Sequence, residues 1–322
     1  MDKIKTVILD SYTDDARKLD WTWLSKYGEY KVYARTPQTD NQIIIKYIGA
    51  ADIAIANKAH FSKEVIDGCP NLKFISVIGT GYNIVDIDYA HKKGVVVSNE
   101  PGYSTMPTSQ HAIALMLELT NNVSLHNNAV HQGNWVESQY YNYYEKSTIE
   151  LTDKIMGIIG FGNIGKQTAK TAKALGMNVI VNTPHPDEEW NGFVDFCDLD
   201  YLFKNSDVVV LHCVLNKHTK EIINKSNIEK MKNSAIIVND GRGGLINEQD
   251  LCDALNSNRI AGAAVDVVSV EPIQNNNPLL KAKNCIITPH IAWSSKDSRR
   301  RIMQITEENV KAFIEGNPIN VV

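Results

Sequence analysis

An α/β architecture with two parallel sheets is expected from this chain, because short continuous apolar runs alternate with helix-like polar stretches along its length. The runs fall into two series with one long amphipathic stretch between them, and 322 residues exceed what a single hydrophobic core usually holds. Two domains, and a cleft between them, are therefore expected.

The first series runs TVILD at 6–10, YKVYA at 30–34, ADIAIA at 51–56, LKFISVIG at 72–79 and VVVSN at 95–99. Unbroken apolar runs of this length read as strands buried on both faces. Helices are expected between them. SKEVIDG starts on Ser62 as N-cap, and VDIDYAHKKG closes on Gly94 at the C-cap. Five such βα units make a flavodoxin-like lobe. PTSQHAIALMLELTNNV then carries apolar residues at spacings of three and four, which predicts a helix of about four turns that bridges the lobes. The stretch 137–148, with SQYYNYYEK at its centre, lacks either period and reads as an aromatic-rich loop.

The second series comprises KIMGIIG at 154–160, NVIVN at 178–182, DVVVLHC at 207–213, SAIIVND at 234–240, AGAAVDV at 261–267 and NCIITP at 284–289. Six strands in this order are the count of a Rossmann dinucleotide-binding domain. From Ser294 to about Gly316 the spacing is helical again with no strand of its own, so that helix is expected to pack back on the first lobe. The expected division is 1–101 with 295–322 as the flavodoxin-like, substrate-binding domain, and 102–294 as the NAD-binding Rossmann domain.

Composition excludes several classes of function. Lys and Arg number 33 against 37 Asp and Glu, a net charge of −4 without a basic block, so no nucleic-acid footprint is expected; Arg299, Arg300 and Arg301 read as a solvated helix face. The five cysteines are odd in number and contain no CxxC pair, which argues against a disulfide framework or zinc site and fits a reducing cytoplasm. After the charged start MDKIK the apolar stretch is too short for a signal-peptide core, and no run reaches membrane length. The histidines outside ITPHIAW show no paired ligand spacing, so no metal site is expected; His111 reads as a packed or interface residue and His212 as the end of a core strand.

GFGNIG follows an apolar strand and opens a helix ending at Gly176, the context that gives this pattern its meaning. Gly160 permits the tight turn, Gly162 lets backbone approach a pyrophosphate, and Gly165 lets helix and strand pack closely. Asn163 and Ile164 complete the turn at the helix N-terminus, whose unpaired amides attract phosphate. An acidic residue is expected some 20 positions on to hold the adenosine ribose, but Asn182 and Thr183 stand there. No Arg or Lys is present to bind a 2′-phosphate either, and Asp187, Glu188 and Glu189 would repel one. NAD(H) is favoured, with NADP(H) left open.

Arg242 in NDGRGG, Glu271 in VDVVSVEP and His290 in ITPHIAW all follow late strands, where such a sheet binds its ligands. A histidine held by a carboxylate can carry a proton near neutrality, because the negative neighbour favours imidazolium. Arginine offers a planar fork to a substrate carboxylate. A structural Arg–Glu pair and a core histidine remain the alternative on chemistry alone. Trp293 reads as a wall of a small substrate pocket, and Cys213, with no matched base, as packing.

With these residues in view, the sequence resembles the D-isomer-specific 2-hydroxyacid dehydrogenases over essentially its whole length, and within that family the branch acting on glycerate and hydroxypyruvate. The resemblance rests on TGYNIVDIDYA, the QHAIALMLE helix with ELTNNV, GIIGFGNIG, LHCVLNKHT, NDGRGGLINEQDL, AAVDVVSVEP and ITPHIAWSS. Arg242 to Glu271 is 29 residues and Glu271 to His290 is 19, as in the family. It implies that Arg242 binds and polarises a small 2-oxo acid, that His290 donates the proton and that Glu271 orients and charges it. It further implies that amides around Thr80 and Gly81 hold the substrate carboxylate, and that Asp266 with the Asp240–Gly241 backbone orients the nicotinamide carboxamide. Thr108, Cys213 and Thr219 match positions lining the cofactor. The sequence departs from the family at Val214, where proline is usual after HC, and at Asp240 and Gly241, where Thr and Ala are commoner. Reduction of pyruvate or glyoxylate is the alternative within the class, and an NAD-sensing corepressor-like binding protein the alternative outside it. A homodimer through the 104–125 helix and its loop is expected by family analogy.

Overall fold

The computed structural model describes residues 3–11 and 19–322. The chain divides into two units, one comprising Met1–Ser104 with Ser294–Val322 and the other Thr105–Trp293.

In unit one, β1 (Ile4–Ile8), β2 (Gly28–Val32), β3 (Ile53–Ala56), β4 (Phe74–Val77) and β5 (Val96–Ser98) form one parallel sheet in the order β2-β1-β3-β4-β5. That order is the flavodoxin-like one. Helices α1 (Asn41–Ile48), α2 (Lys63–Gly68) and α3 (Ile87–Lys92) each start on a side chain that accepts a backbone N–H of the first turn, from Asp40, Ser62 and Asp86 respectively. Strands β3 and β4 are buried at every position, which is why they read as unbroken apolar runs.

Unit two opens with α4 (Thr105–Asn121) and α5 (Val123–His131). The single 104–125 helix expected from spacing is thus two, because Asn122 turns left-handed at φ 52° and ends the first. Between 132 and 150 no regular helix or strand forms. The second sheet contains β6 (Ile155–Ile159), β7 (Asn178–Asn182), β8 (Asp195–Phe196), β9 (Val208–Leu211), β10 (Ile236–Asn239), β11 (Gly262–Val265) and β12 (Cys285–Ile287). Its order is β12-β11-β10-β9-β6-β7-β8, parallel throughout, the doubly wound Rossmann pattern with one strand beyond the expected six. The extra strand, β8, has only two residues, too short to leave a periodic trace in the sequence.

One face of this sheet packs Ala112, Met116, Ile158, Ala169, Val210 and Val238 against α4 and α6 (Asn163–Ala174). The opposite face buries Leu202, Val209, Ile237, Leu251 and Leu255 with α7 (Leu199–Asn205), α8 (Lys225–Ile228) and α9 (Glu248–Asn256). The last helix, α10 (Lys296–Ile314), belongs to unit one, where Phe313 stacks on Phe74 of β4 with ring centroids 4.5 Å apart. Bringing Cα-distant segments onto one sheet places the residues that follow β6, β9, β10, β11 and β12 along one edge of unit two, the carboxyl ends of its strands.

Candidate active site

Among the described residues seven α-helices begin on a capping side chain, whereas α5 begins on Asn122 without a side-chain cap and α6 begins on Gly162, which has no side chain to cap with. Its first-turn amides are therefore left to an external acceptor. Gly160 holds φ 95°, and a Cβ there would lie 2.5 Å from the backbone nitrogen of Cys213. At Gly165 a Cβ would lie 2.4 Å from the carbonyl oxygen of Gly160, while nothing stands within 4 Å of one at Gly162. Two glycines are required by close packing and the third keeps an open face, a cradle that fits a dinucleotide pyrophosphate over Asn163 and Ile164.

At the far end of that cradle, Asn182 donates its side-chain amide to the Cys197 carbonyl at 2.9 Å and so turns toward β8. Thr183 accepts from the His185 amide at 3.3 Å, and Lys166 of α6 pairs with Asp187 at 2.5 Å. The one cation of the first α6 turn is thus already matched by a carboxylate in the loop after β7. Thr108 is buried on α4. Thr219 ties the turn after β9, accepting the Asn216 amide at 2.8 Å and donating to the Val214 carbonyl at 2.6 Å. Burial pushes the Cys213 thiol up to about 11, which removes it as a nucleophile at neutral pH.

Arg242 sits in the turn after β10. Asn239 shapes that turn twice, accepting the Gly241 amide at 3.1 Å and donating to the Arg242 carbonyl at 2.9 Å. The guanidinium donates to the Gly241 carbonyl at 2.8 Å and makes no ion pair with a described residue, so its fork is left for an external anion. The next residue, Gly243, is packed so closely on the segment after β11 that a Cβ would lie 2.0 Å from the Val268 carbonyl carbon. That segment carries Glu271. Glu248, in the first turn of α9, pins it by accepting the Ser269 amide and hydroxyl, both at 2.7 Å, and the Asn277 amide at 3.0 Å.

His290 lies beyond β12, and its Nδ1 stands 2.6 Å from Glu271 Oε2, the two side chains about a third exposed at 28% and 31%. With Nδ1–H committed to the carboxylate, Nε2 makes no hydrogen bond to a described residue and is the atom free to exchange a proton. Its backbone is left-handed at φ 55°, a costly conformation for a non-glycine residue that surrounding contacts must impose. Those contacts come from Asp266, after β11. Its carbonyl accepts the His290 amide at 2.7 Å, and its carboxylate accepts the amides of Ile291 at 2.9 Å and Ala292 at 2.8 Å and the Thr288 hydroxyl at 2.6 Å. The Asp266 side chain is fully buried, so it shapes the loop that carries His290 and Trp293.

Sequence reasoning left His111 as a packed or interface residue; its Nε2 lies 3.1 Å from Thr288 Oγ1 and 3.4 Å from Asp266 Oδ1. The Thr288 hydrogen is committed to Asp266, which makes the imidazole the donor. The hydrogen bond to Asp266 raises the His111 pKa, burial opposes it, and the charges of Asp266 and Asp240 add to the rise. Burial pushes the Asp266 carboxyl up, but its hydrogen bonds from His111, Thr288, Ile291 and Ala292 outweigh that and hold it below the usual value. The raised histidine stabilises the fold fully below its unfolded value of about 6.5 and loses that contribution as pH climbs through the folded one. The lowered aspartate stabilises above its unfolded value of about 3.9 and loses that contribution as pH falls through the folded one. His111→Gln is therefore expected to lower the melting temperature most between about pH 4 and 6.5, the gap to the parent narrowing in alkali. A gap equally wide at about pH 5.5 and pH 9 would show that no charged pair forms.

In unit one, Thr80 and Gly81 lie in the loop after β4. Thr80 donates its hydroxyl to the Glu100 carbonyl at 3.1 Å and accepts the Asn99 side-chain amide on its own carbonyl at 2.8 Å. The backbone amides of Thr80 and Gly81 donate to no described residue, as a carboxylate-binding loop requires. Among the described residues no group of three or more His, Cys, Asp or Glu is arranged to hold a metal ion.

Comparison with known proteins bears on this site. A family model described as the D-isomer specific 2-hydroxyacid dehydrogenase, NAD binding domain, matches residues 113–292. The hydroxypyruvate reductase of Blautia hydrogenotrophica is 48% identical over 320 residues, covering 99% of each chain. The glycerate dehydrogenase of Methylorubrum extorquens is 36% identical over 320 residues, 99% of this chain and 98% of that one. Among solved structures, an acyclic imino acid reductase in complex with NADPH and D-Arg superposes with a TM-score of 0.87 at 28% identity, over 99% of this chain and all of the other.

Proposed function

This chain belongs to the D-isomer-specific 2-hydroxyacid dehydrogenase family, and from that premise we propose that it interconverts hydroxypyruvate and D-glycerate with NAD(H). The observation that carries the reading is the 2.6 Å His290–Glu271 pair standing one strand away from an Arg242 guanidinium that no described carboxylate neutralises. A nicotinamide cofactor held by the Gly160–Gly165 cradle would supply or take up the hydride exchanged at the substrate's second carbon. His290 Nε2 gives its proton to the carbonyl oxygen as that atom gains charge, and Glu271, 2.6 Å from Nδ1, holds the ring in place for the transfer. Arg242 binds the acid through its planar fork and offsets the developing negative charge. In unit one the amides of Thr80 and Gly81 suit a carboxylate, and in unit two Trp293 suits the wall of a pocket for a small acid.

The cradle residues Gly160, Gly162, Asn163, Ile164 and Gly165 would hold the pyrophosphate, with Thr108, Thr183, Cys213, Thr219 and the Asp240–Gly241 backbone along the rest of the cofactor. Pairing of Lys166 with Asp187, and the absence of Arg or Lys at Thr183, favour NAD(H) over its 2′-phosphate. A panel of hydroxypyruvate, glyoxylate and pyruvate with NADH and NADPH tests both choices at once. The highest kcat/KM is expected for hydroxypyruvate with NADH. Higher values for another acid would move the substrate, and a ratio of NADH to NADPH below one would reverse the cofactor.

A homodimer through the 104–125 segment and the loop after it is supported by the apolar side chains left exposed there, among them Met106, Val123 and Leu125 and, in the loop, Trp135, Tyr140 and Tyr141. A monomer mass in sedimentation would overturn it. No helix among the described residues is long and apolar enough to cross a membrane, and the five cysteines are free, which supports a reducing, cytoplasmic setting.

A further inference from the structure

Between β11 and β12 the chain leaves the sheet in a loop that carries Glu271, and its backbone does little to hold it there. The amides of Val268, Ser269 and Val270 donate to no backbone carbonyl of a described residue, and Ser269 and Val270 are exposed. Val268 turns its amide to Glu271 itself at 3.4 Å, a contact internal to the loop. A segment without a backbone ladder takes its shape from side chains.

Glu248 supplies that shape from outside the loop. Its Oε1 accepts the Ser269 amide at 2.7 Å, and its Oε2 accepts the Ser269 hydroxyl at 2.7 Å and the Asn277 side-chain amide at 3.0 Å. Ser269 and Asn277 bracket Glu271, so one carboxylate closes the loop across its base. Asn277 is buried and fixes the far end, since its side-chain oxygen also caps the short 3-10 turn Pro278–Lys281 by accepting the Leu279 amide at 2.9 Å. The near end is equally firm. An acidic residue in a first helical turn ordinarily serves the helix itself, but Asn247 already caps α9 by accepting the Asp250 amide at 3.1 Å, which leaves the Glu248 carboxylate to the loop. Leu251 and Leu255 bury the same helix in the core. The Arg242 turn leads through Gly243–Leu245 into α9, and Gly243 lies against Val268, so the arginine and the Glu271 loop are built on one base.

We propose that Glu248 is a positioning residue for the reaction, holding the 269–277 loop closed so that Glu271 meets the His290 ring. The assignment rests on the dehydrogenase reading of the site. Glu271 stands two residues beyond Ser269, so freedom released at Ser269 passes to it through two peptide units. The contact it makes with His290 Nδ1 is 2.6 Å, and a displacement of about 1 Å carries such a contact out of hydrogen-bond range. Glu248 touches neither His290 nor the Glu271 carboxylate through any of its three bonds and acts on the pair only through the loop.

A double-mutant cycle tests this: kcat and KM for hydroxypyruvate with NADH on the parent, Glu248→Ala, Glu271→Ala and the variant carrying both. Glu248→Ala is expected to lower kcat about tenfold with KM held within about twofold, and to cost less than about twofold where Glu271 is already alanine, because no carboxylate is left to position. The same loss in both backgrounds would overturn the assignment and make Glu248 a residue of stability alone, and so would a rise in KM with kcat unchanged. Glu248→Gln keeps an oxygen for the Ser269 amide and should recover most of the loss. A glutamine variant as slow as the alanine one would make the charge the agent instead of the tether, and overturn it as well. Melting temperatures come first; should Glu248→Ala fail to fold, Ser269→Ala, which deletes only the hydroxyl bond, enters the same cycle with the same non-additive result expected. Failure of the parent to oxidise NADH with any 2-oxo acid would instead sink the dehydrogenase reading, and this assignment with it.

Discussion

His290→Ala is expected to lower turnover on the order of 100-fold or more while leaving NADH binding close to the parent's, because the proposed reaction takes its proton from this imidazole. The geometry makes the expectation specific. Nδ1 is held by Glu271 at 2.6 Å, so only Nε2 is free to exchange a proton, and no other titratable side chain of the loop after β12 stands beside it. Glu271→Gln should cost less than removing the ring. The amide oxygen still accepts Nδ1–H and keeps the imidazole oriented, but the negative charge beside the ring is gone. Steady-state assays with hydroxypyruvate would read both. Near-parent turnover in His290→Ala would place the acid elsewhere, and Glu271→Gln slower than His290→Ala would mean that the carboxylate acts by itself.

The strands of both sheets and the glycine cradle were legible because their signals are local. A buried parallel strand is an apolar run wherever it occurs, and Gly160 and Gly165 are needed by contacts within one strand–turn–helix unit. Chemistry singled out Arg242, Glu271 and His290 in the sequence but left a structural reading open, and the roles proposed for them come from the family resemblance; the structure adds the 2.6 Å His290–Glu271 contact. What stayed hidden was support that arrives from far along the chain. His111 looks like any polar residue on an apolar helix until the fold lays α4 across β11 and brings it to Asp266, 155 positions on. Glu248 reads as an ordinary acidic residue at a helix start, yet it fastens the Glu271 segment through Ser269 and Asn277. The break at Asn122 was invisible to apolar spacing because α5 resumes the same polarity within two residues.

These supports explain how a left-handed histidine can be held ready for proton transfer. Asp266 fixes its backbone, Glu271 its ring, and Glu248 fixes the Glu271 segment in turn, so strain at one residue is balanced by hydrogen bonds anchored on the segment after β11 and on α9. Each anchor is buried or partly buried, where a hydrogen bond to a carboxylate counts for more than it does in water.

Arg242→Lys is the substitution expected to separate binding from chemistry most sharply. Lysine keeps the positive charge, so any loss measures geometry: the fork that takes two oxygens at once and the planar guanidinium that its own loop holds through the Gly241 carbonyl at 2.8 Å. An ammonium on a flexible stem can point at one oxygen only, and it must be ordered anew for every substrate. Both KM for the 2-oxo acid and kcat should therefore worsen, for a combined fall in kcat/KM on the order of 100-fold, the scale seen when one preorganised donor to a developing oxyanion is removed. Were KM alone to rise, Arg242 would serve ground-state binding and the polarisation of the carbonyl would fall to His290 by itself. If neither constant moved while the melting temperature dropped, Arg242 would be a structural residue of the β10 turn. The Asn239 contacts to Gly241 and to the Arg242 carbonyl argue against that last outcome, because they fix the turn through backbone atoms that lysine retains.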